Sequence, residues 1–192
     1  MNFLAHVFLS GNDFELAMGN LIADQIKGKN YLNLPYKIQK GILLHRKIDQ
    51  YTDSHPVFKL CVKRLFVTHR HYSRVLVDMF FDHFLAKNWH DYHPLGLADF
   101  TDQFYNYLSK NKALLPDHCW NLINHLIQNN WFKAYASLEG LESILAQMEK
   151  RTQFESNLAR GRIALEQDYS FFKDQFTAFF INICTHFKIN TL

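Results

Sequence analysis

The chain has 192 residues, of which 48% are hydrophobic, and this size and composition suit one domain with a continuous core. Eighteen Phe and nine Tyr against seven Gly and four Pro favour long helices over a sandwich or a barrel, while a formal net charge of +3 is too small to define a partner. The three cysteines are far apart and form no CxxC pair, which argues against a disulfide framework or a thiolate zinc site and favours a reduced, cytoplasmic setting.

Apolar residues recur at helical spacing along nearly the whole chain, and no segment has the pattern of a strand. The periodicity predicts helices over 13–27, 35–53, 54 onward, 73–88, 97–111, 117–136, 138–150 and 153–188. We expect Ser54 to cap the third helix, with Pro56 in its first turn. The aromatic residues of the last helix favour core packing, although this helix could also form part of a dimer interface. The expected fold class is all-α, with one domain over 1–192.

The N-terminal stretch is apolar, but it lacks a basic region and is interrupted by His6 and Asn12. We therefore predict that it is not a signal peptide. No apolar run approaches the ~20 residues that a spanning helix needs, so the protein is expected to be soluble and to have no membrane partner.

The second predicted helix carries the first candidate site. His45 and Asp49 are four residues apart, so both side chains project from one helix face with β-carbons ~6 Å apart, close enough to share an ion. The alternative is a surface salt bridge, which is the commoner meaning of a single pair at this spacing.

Carboxylates and imidazoles recur inside other apolar helices. Asp78 and Asp82 repeat the four-residue spacing beside Phe80 and Phe81, and His83 follows directly. Burying such carboxylates without a counter-charge costs several kcal/mol, which a divalent cation would offset. Two further candidates, Asp24 and His6, lie in similar apolar surroundings, although His6 alone could equally be a core histidine. Surface charge does not explain all of these sets together, and their convergence predicts one shared metal site.

The types of ligand restrict both the metal and the reaction. Imidazole mixed with carboxylate and without thiolate suits manganese, iron or magnesium better than structural zinc. A hard cation with open coordination positions activates water and polarises a phosphoryl oxygen. Hydrolysis of a phosphate ester is therefore the predicted reaction class.

A basic stretch separates these segments, because residues 54–77 contain no Asp or Glu. Its five cationic residues are Lys59, Lys63, Arg64, Arg70 and Arg74. Such a surface attracts an anionic partner, although it could also be a solvated face. An acidic protein is favoured over nucleic acid, since no nucleic-acid-binding motif accompanies the charge.

Four motifs resemble those of the acyl carrier protein phosphodiesterases, also called acyl carrier protein hydrolases. They are Asn2-Phe-Leu-Ala-His6, Gly19-Asn-Leu-Ile-Ala-Asp24, Gly41 through His45-Arg46-Lys-Ile-Asp49 to Thr52-Asp53, and Asp78-Met-Phe-Phe-Asp82-His83-Phe-Leu. Weaker likeness continues at Asn130-Trp131, Tyr135, Gly140, Met148 and Arg151. The resemblance spans most of the chain, and the order and spacing of the motifs make it specific.

This resemblance implies an HD-like helical bundle that hydrolyses the phosphodiester between phosphopantetheine and a serine of acyl carrier protein. It also implies dependence on manganese and an acidic protein substrate, which suits the basic stretch. The candidate metal ligands are Asp24, His45, Asp82, His6 and Asp78.

The remaining candidates are assigned to the chemistry of a metal-activated water. Asp49 would ligate the ion or orient the water, and Arg46 would hold phosphate oxygens. Either water or His83 would protonate the leaving serine oxygen. Two alternatives stay open at this point. One is an HD-type phosphohydrolase acting on a small nucleotide, and the other is a non-catalytic helical module that binds acidic partners or nucleic acid through 54–77.

Overall fold

A computed structural model of the protein describes residues 1–150 and 156–191. These residues contain eleven α-helices and no strand, which confirms the predicted all-α fold class. The helices are α1 (Phe3–Phe8), α2 (Phe14–Ile22), α3 (Tyr36–Ser54), α4 (Pro56–His69), α5 (Ser73–Lys87), α6 (Leu97–Lys110), α7 (Trp120–Gln128), α8 (Trp131–Ala134), α9 (Leu138–Glu149), α10 (Gly161–Gln167) and α11 (Tyr169–Phe187). Arg151 and the first residues of the helix predicted over 153–188 lie outside the described ranges.

Apolar periodicity located four helices to within one residue at each end. The predicted ranges 35–53, 73–88, 97–111 and 138–150 correspond to α3, α5, α6 and α9. The short α1 was not predicted, because six residues are too few to establish a helical repeat. Its first backbone N–H donates to the Asn2 side chain at 2.8 Å, which gives this helix an N-cap.

Four other helix boundaries differ from the prediction. The helix predicted over 13–27 ends at Ile22 and continues as a short 3-10 turn, Ala23–Gln25. The one predicted over 117–136 is interrupted by Asn130, whose φ of 47° is left-handed and therefore not helical. The last predicted helix is divided at Asp168. His55 caps α4 in place of Ser54, because a residue before proline is driven into extended backbone.

The core lies between α5, α11 and the N-terminal helices. Phe176, Phe179 and Phe180 of α11 are buried, and Phe176 contacts Phe81 and Phe84 of α5 at ring-centroid distances of 5.7 and 5.8 Å. Most of the aromatic face of the last helix is therefore core packing, as predicted. Among the described residues, no helix combines the length and apolar character needed to cross a bilayer.

Helices α2 and α3 pass each other at unusually close range. A β-carbon placed on Gly19 would lie 2.3 Å from the carbonyl oxygen of Ile38, and one placed on Gly41 would lie 2.1 Å from the carbonyl oxygen of Leu16. Only glycine allows two backbones to approach this closely. The contact fixes the end of α2 beside the middle of α3, where His45 lies.

Candidate active site

Two helices bring two imidazoles and one carboxylate together. His6 lies on α1, and His45 and Asp49 lie one turn apart on α3. The Asp49 carboxylate bridges the rings, with Oδ1 3.2 Å from His6 Nε2 and Oδ2 3.1 Å from His45 Nε2. The rings stack with centroids 3.9 Å apart. One donor atom from each residue lies within 4.8 Å of the other two, a separation compatible with donors that share one ion.

The buried side chain of Asn20 on α2 orients both imidazoles. Its Oδ1 lies 2.9 Å from His6 Nδ1 and 3.2 Å from His45 Nδ1, and its backbone carbonyl lies 2.8 Å from His45 Nδ1. Because these oxygens can only accept, each Nδ1 donates its proton. Each neutral ring therefore keeps the lone pair on Nε2, which is the atom that faces Asp49.

Asn20 is itself held by a full set of hydrogen bonds. Its amide nitrogen donates to the His6 carbonyl at 2.7 Å and to the Ser10 hydroxyl at 2.9 Å. Since a carbonyl cannot donate, the first of these bonds fixes the amide nitrogen away from the imidazoles and the amide oxygen toward them. This is the second layer of hydrogen bonding that usually supports metal-ligating histidines.

Burial and the neighbouring charges separate the pKa values of the two histidines. Burial lowers the pKa of His6 to about 4, in spite of the neighbouring Asp49 carboxylate, which acts to raise it. Burial also acts to lower the pKa of His45, but the hydrogen bonds and charges of Asp24 and Asp49 outweigh it and raise the pKa to about 9. Burial by itself would raise the pKa of Asp49, yet the two imidazoles hold it well below its usual range. Without a metal, the His6 ring has one proton and is neutral, whereas the His45 ring has two and is positively charged.

Asp24 lies on the open side of this cluster, in the 3-10 turn after α2. Its Oδ1 is 3.4 Å from His45 Nε2, and its side chain is 72% exposed. The hydrogen bond from His45 lowers the pKa of Asp24, so its carboxylate is ionised. Asp24 therefore adds a second carboxylate beside His45, on the lining of the same cleft as the cluster.

The Asp78 and Asp82 carboxylates are not part of this three-residue cluster, although Asp78 lines the cleft that opens onto it. Asp82 accepts hydrogen bonds from the backbone N–H groups of Asn2 and Leu4 at 3.1 and 2.8 Å. The Asp78 carboxylate lies 2.5 Å from the amino group of Met1. Burial raises the pKa of Asp82 to about 7, although these backbone bonds and the Met1 amine act to lower it. Both carboxylates hold the start of α1, the helix that carries His6.

The side chains of His83 and Arg46 are also engaged outside the cluster. His83 is fully buried, with Nδ1 2.7 Å from the Tyr135 carbonyl and Nε2 3.0 Å from the Tyr169 hydroxyl. Arg46 donates to the Gly28 carbonyl at 2.8 Å and lies over the Tyr31 ring. Their expected roles in protonating a leaving group and in holding phosphate are not supported by these contacts.

A surface cleft of about 380 Å³ opens onto the cluster. The three clustered residues and Asp24 line it together with Met1, Asp53, Arg74 and Asp78. Arg74 forms an ion pair with Asp53 and is the lining arginine among the described residues. The cleft is large enough for a phosphodiester, and its lining combines a guanidinium with the two imidazoles.

The five cations of the basic stretch do not form a single surface. Lys59, Lys63 and Arg74 line one groove on α4. Arg64 makes a two-pronged ion pair with Asp168, and Arg70 lines a separate cavity at the end of α4.

Sequence reasoning did not single out Asn20, the residue that joins the two histidines. One signal was available, since Asn20 lies next to Leu21 and Ile22 within the apolar, buried face of α2. A buried amide needs several hydrogen-bond partners, and in an apolar helix these must come from other polar groups. The contact of the Met1 amine with Asp78 had no comparable signal.

Comparison with known proteins identifies the family. The family described as acyl carrier protein phosphodiesterase matches residues 1–183, which include every residue of the cluster and its supporting contacts. The chain belongs to the acyl carrier protein phosphodiesterase family.

Curated members of this family are similar over nearly their full length. Proteins named acyl carrier protein phosphodiesterase from Serratia proteamaculans and Yersinia pestis are 30% and 31% identical to the chain, in each case over 94% of both sequences. One with the same name from Pectobacterium atrosepticum is 32% identical over the same shares. No solved structure matches the chain. The resemblance of the four motifs to acyl carrier protein phosphodiesterases is thus confirmed.

Proposed function

We propose that this protein hydrolyses the phosphodiester bond between phosphopantetheine and a serine of holo-acyl carrier protein, using a divalent metal ion. The products are apo-carrier protein and free phosphopantetheine. Membership of the phosphodiesterase family supports the substrate. The observation that carries the metal-dependent reaction is the meeting of His6, His45 and Asp49 at an open cleft.

The donor set suits a hard divalent cation. Two imidazole nitrogens face an ionised carboxylate, a second carboxylate lies at the open edge, and both imidazoles are oriented by Asn20. Such mixed nitrogen and oxygen donors suit manganese, iron or magnesium, and manganese is the ion we propose. When bound, it would lower the pKa of a water molecule and polarise a phosphoryl oxygen.

Each polar group of the cleft has a distinct part in this reaction. His6, His45 and Asp49 would hold the ion, and Asp24 would be a further ligand. The guanidinium of Arg74 contacts a phosphate oxygen and offsets its negative charge. Solvent water protonates the leaving serine oxygen, because the His83 imidazole is enclosed by its tyrosine partners.

The fold that goes with this activity is a single HD-like helical domain over 1–192, supported by the all-helical structure of the described residues. A cytoplasmic location fits three cysteines that are all free and buried, since disulfides are rare in reducing compartments.

The direct test is incubation of the purified protein with holo-acyl carrier protein and manganese, with and without a chelator. Intact-protein mass spectrometry is expected to show conversion of the holo form to the apo form only when metal is available. Persistence of the holo form under all metal conditions would refute the proposed substrate. Equal conversion in the presence of chelator would refute the metal dependence.

Two aspartate variants test the role of the cluster. Asp24→Ala is expected to lower the rate of conversion at least about a hundredfold while leaving the helical circular dichroism unchanged, because the Asp24 side chain is exposed. Asp91→Ala makes the same chemical change at an exposed aspartate outside the cleft and is expected to keep full activity. Equal activity of the two variants would remove Asp24 from the site.

A further inference from the structure

The solvent-facing side of α4 carries an apolar groove with a cationic edge. Its volume is about 460 Å³, and three apolar and three cationic side chains line it: Val62, Phe66, Val67, Lys59, Lys63 and Arg74. Phe66 is 52% exposed and Val67 is 87% exposed. Exposed apolar residues that are grouped and bordered by polar ones are typical of binding surfaces, whereas scattered ones are not.

Five of these residues lie on α4, where helix geometry places them in two adjacent rows, and Arg74 lies in the first turn of α5. Lys59, Lys63 and Val67 follow one another at four-residue steps, and Val62 and Phe66 form the neighbouring row. Among the described residues neither Lys59 nor Lys63 has an ion-pair partner, whereas the nearby Arg64 is paired with Asp168. The two lysine charges are therefore available to a partner.

The groove adjoins the cleft that contains the histidine cluster. Arg74 lines both, and its ion-pair partner Asp53 also lines the cleft. A partner seated in the groove would therefore be next to the proposed site of hydrolysis.

We infer that this groove docks an acidic amphipathic helix of the protein substrate, an inference that rests on the proposed function. Acidic side chains of that helix pair with Lys59 and Lys63, and an apolar side chain contacts Phe66. Charge complementarity selects this occupant, because a neutral acyl chain gains nothing from cations, whereas an acidic protein is attracted by them. The half-exposed Phe66 beside these lysines supplies the apolar anchor that protein interfaces commonly use.

The test is steady-state hydrolysis of holo-carrier protein by two groove variants of the full chain. For the double variant Lys59→Glu/Lys63→Glu, we expect KM to rise at least about tenfold while kcat at saturation is unchanged, since the reacting groups are untouched. For Phe66→Ser, we expect a rise in KM of about tenfold with the same kcat. Manganese binding, measured by isothermal titration calorimetry, is expected to match the wild type in both.

Two matched controls keep the result specific. Lys110→Glu/Lys173→Glu makes the same change of charge on α6 and α11, and Ile181→Ser removes another exposed apolar side chain, which is 59% exposed. Neither control touches the groove or the cleft, and KM is expected to stay within about twofold of the wild type. An equal rise in KM in the lysine control would show that the net charge of the protein is responsible, and an equal rise for Ile181→Ser would show a general effect of losing exposed apolar surface. Either result would overturn the docking site.

The remaining outcomes also distinguish the docking site from the proposed function. Failure of the wild type to convert holo-carrier protein defeats the proposed function itself, whereas wild-type KM in both groove variants defeats only the docking site. An effect of Phe66→Ser that occurs only with a long acyl chain on the carrier, with no effect of the lysine changes, would assign the groove to that chain. A dimer that Phe66→Ser dissociates without changing KM would assign it to a second copy. Either result overturns the inference.

Discussion

Gly41→Ala is a single-methyl test of how the histidine cluster is assembled. The new β-carbon would lie 2.1 Å from the Leu16 carbonyl oxygen and 2.7 Å from the Asn20 backbone nitrogen, where ordinary contact begins at 3.4 Å. Both atoms belong to backbone and cannot rotate away, so α2 and α3 must move apart by about 1 Å. Overpacking of this kind costs about 3 kcal/mol, and the better helix propensity of alanine returns about 1 kcal/mol. We expect a net loss of about 2 kcal/mol in the free energy of unfolding.

The same displacement reaches the site, because the Asn20 carbonyl is 2.8 Å from His45 Nδ1. Loss of that support is expected to weaken manganese affinity by about tenfold to a hundredfold. Urea unfolding gives the first quantity and isothermal titration calorimetry the second. Gly96→Ala is the matched control, since its nearest contact would be 3.7 Å away. Wild-type stability and wild-type affinity in Gly41→Ala would refute the view that this close helix contact positions His45.

Three further predictions concern protons and positioning. Manganese must displace the second proton of His45, whose pKa is about 9. Calorimetry is therefore expected to show that manganese affinity rises about tenfold per pH unit up to that value, and an affinity independent of pH would contradict this. Burial lowers the pKa of His83 to about 4, so as pH falls from 6.5 to 4 the unfolded chain binds a proton that the folded chain does not. The wild type is therefore expected to lose about 3 kcal/mol of its free energy of unfolding over this pH range, and His83→Asn is expected not to lose it. Urea titrations at several pH values measure the difference, and parallel pH profiles of the two proteins would exclude this role of His83. Asp82→Asn removes one hydrogen-bond acceptor at the start of α1 and is expected to lower the free energy of unfolding by about 1–2 kcal/mol. Manganese binding is expected to weaken but to remain at one ion per chain. Loss of the ion would instead make Asp82 a ligand.

The spacing of residues along the chain predicted the positions of several helices and one pair of residues in the cluster. Apolar periodicity located α3, α5, α6 and α9, and four-residue spacing placed His45 and Asp49 on one face of α3. The same geometry also limits Arg46, because consecutive helical residues project about 100° apart. A residue next to His45 is therefore expected to point away from the cluster, and Arg46 indeed contacts the Gly28 carbonyl instead.

Long-range pairing could not be predicted from the sequence. The buried Asp82 needs polar partners, as the physical argument requires, but those partners are backbone N–H groups at the start of α1, 80 and 78 residues away along the chain. Nothing in the order of residues distinguishes backbone amides from a metal ion as the compensating group. Asn20 could not be predicted for the same reason, because the two histidines that it contacts lie on two other helices.

The charges of the cluster explain why a divalent ion suits it. Asp24 and Asp49 are both ionised, the doubly protonated His45 carries one positive charge and His6 is neutral, so the metal-free cluster has an excess of one negative charge. Stacking of the rings at 3.9 Å disfavours a second proton, because two imidazolium rings would repel each other. A divalent ion that displaces the His45 proton instead leaves the four side chains and the ion neutral together. The buried His6 therefore disfavours a second imidazolium, and the remaining negative charge favours one doubly charged cation at this position.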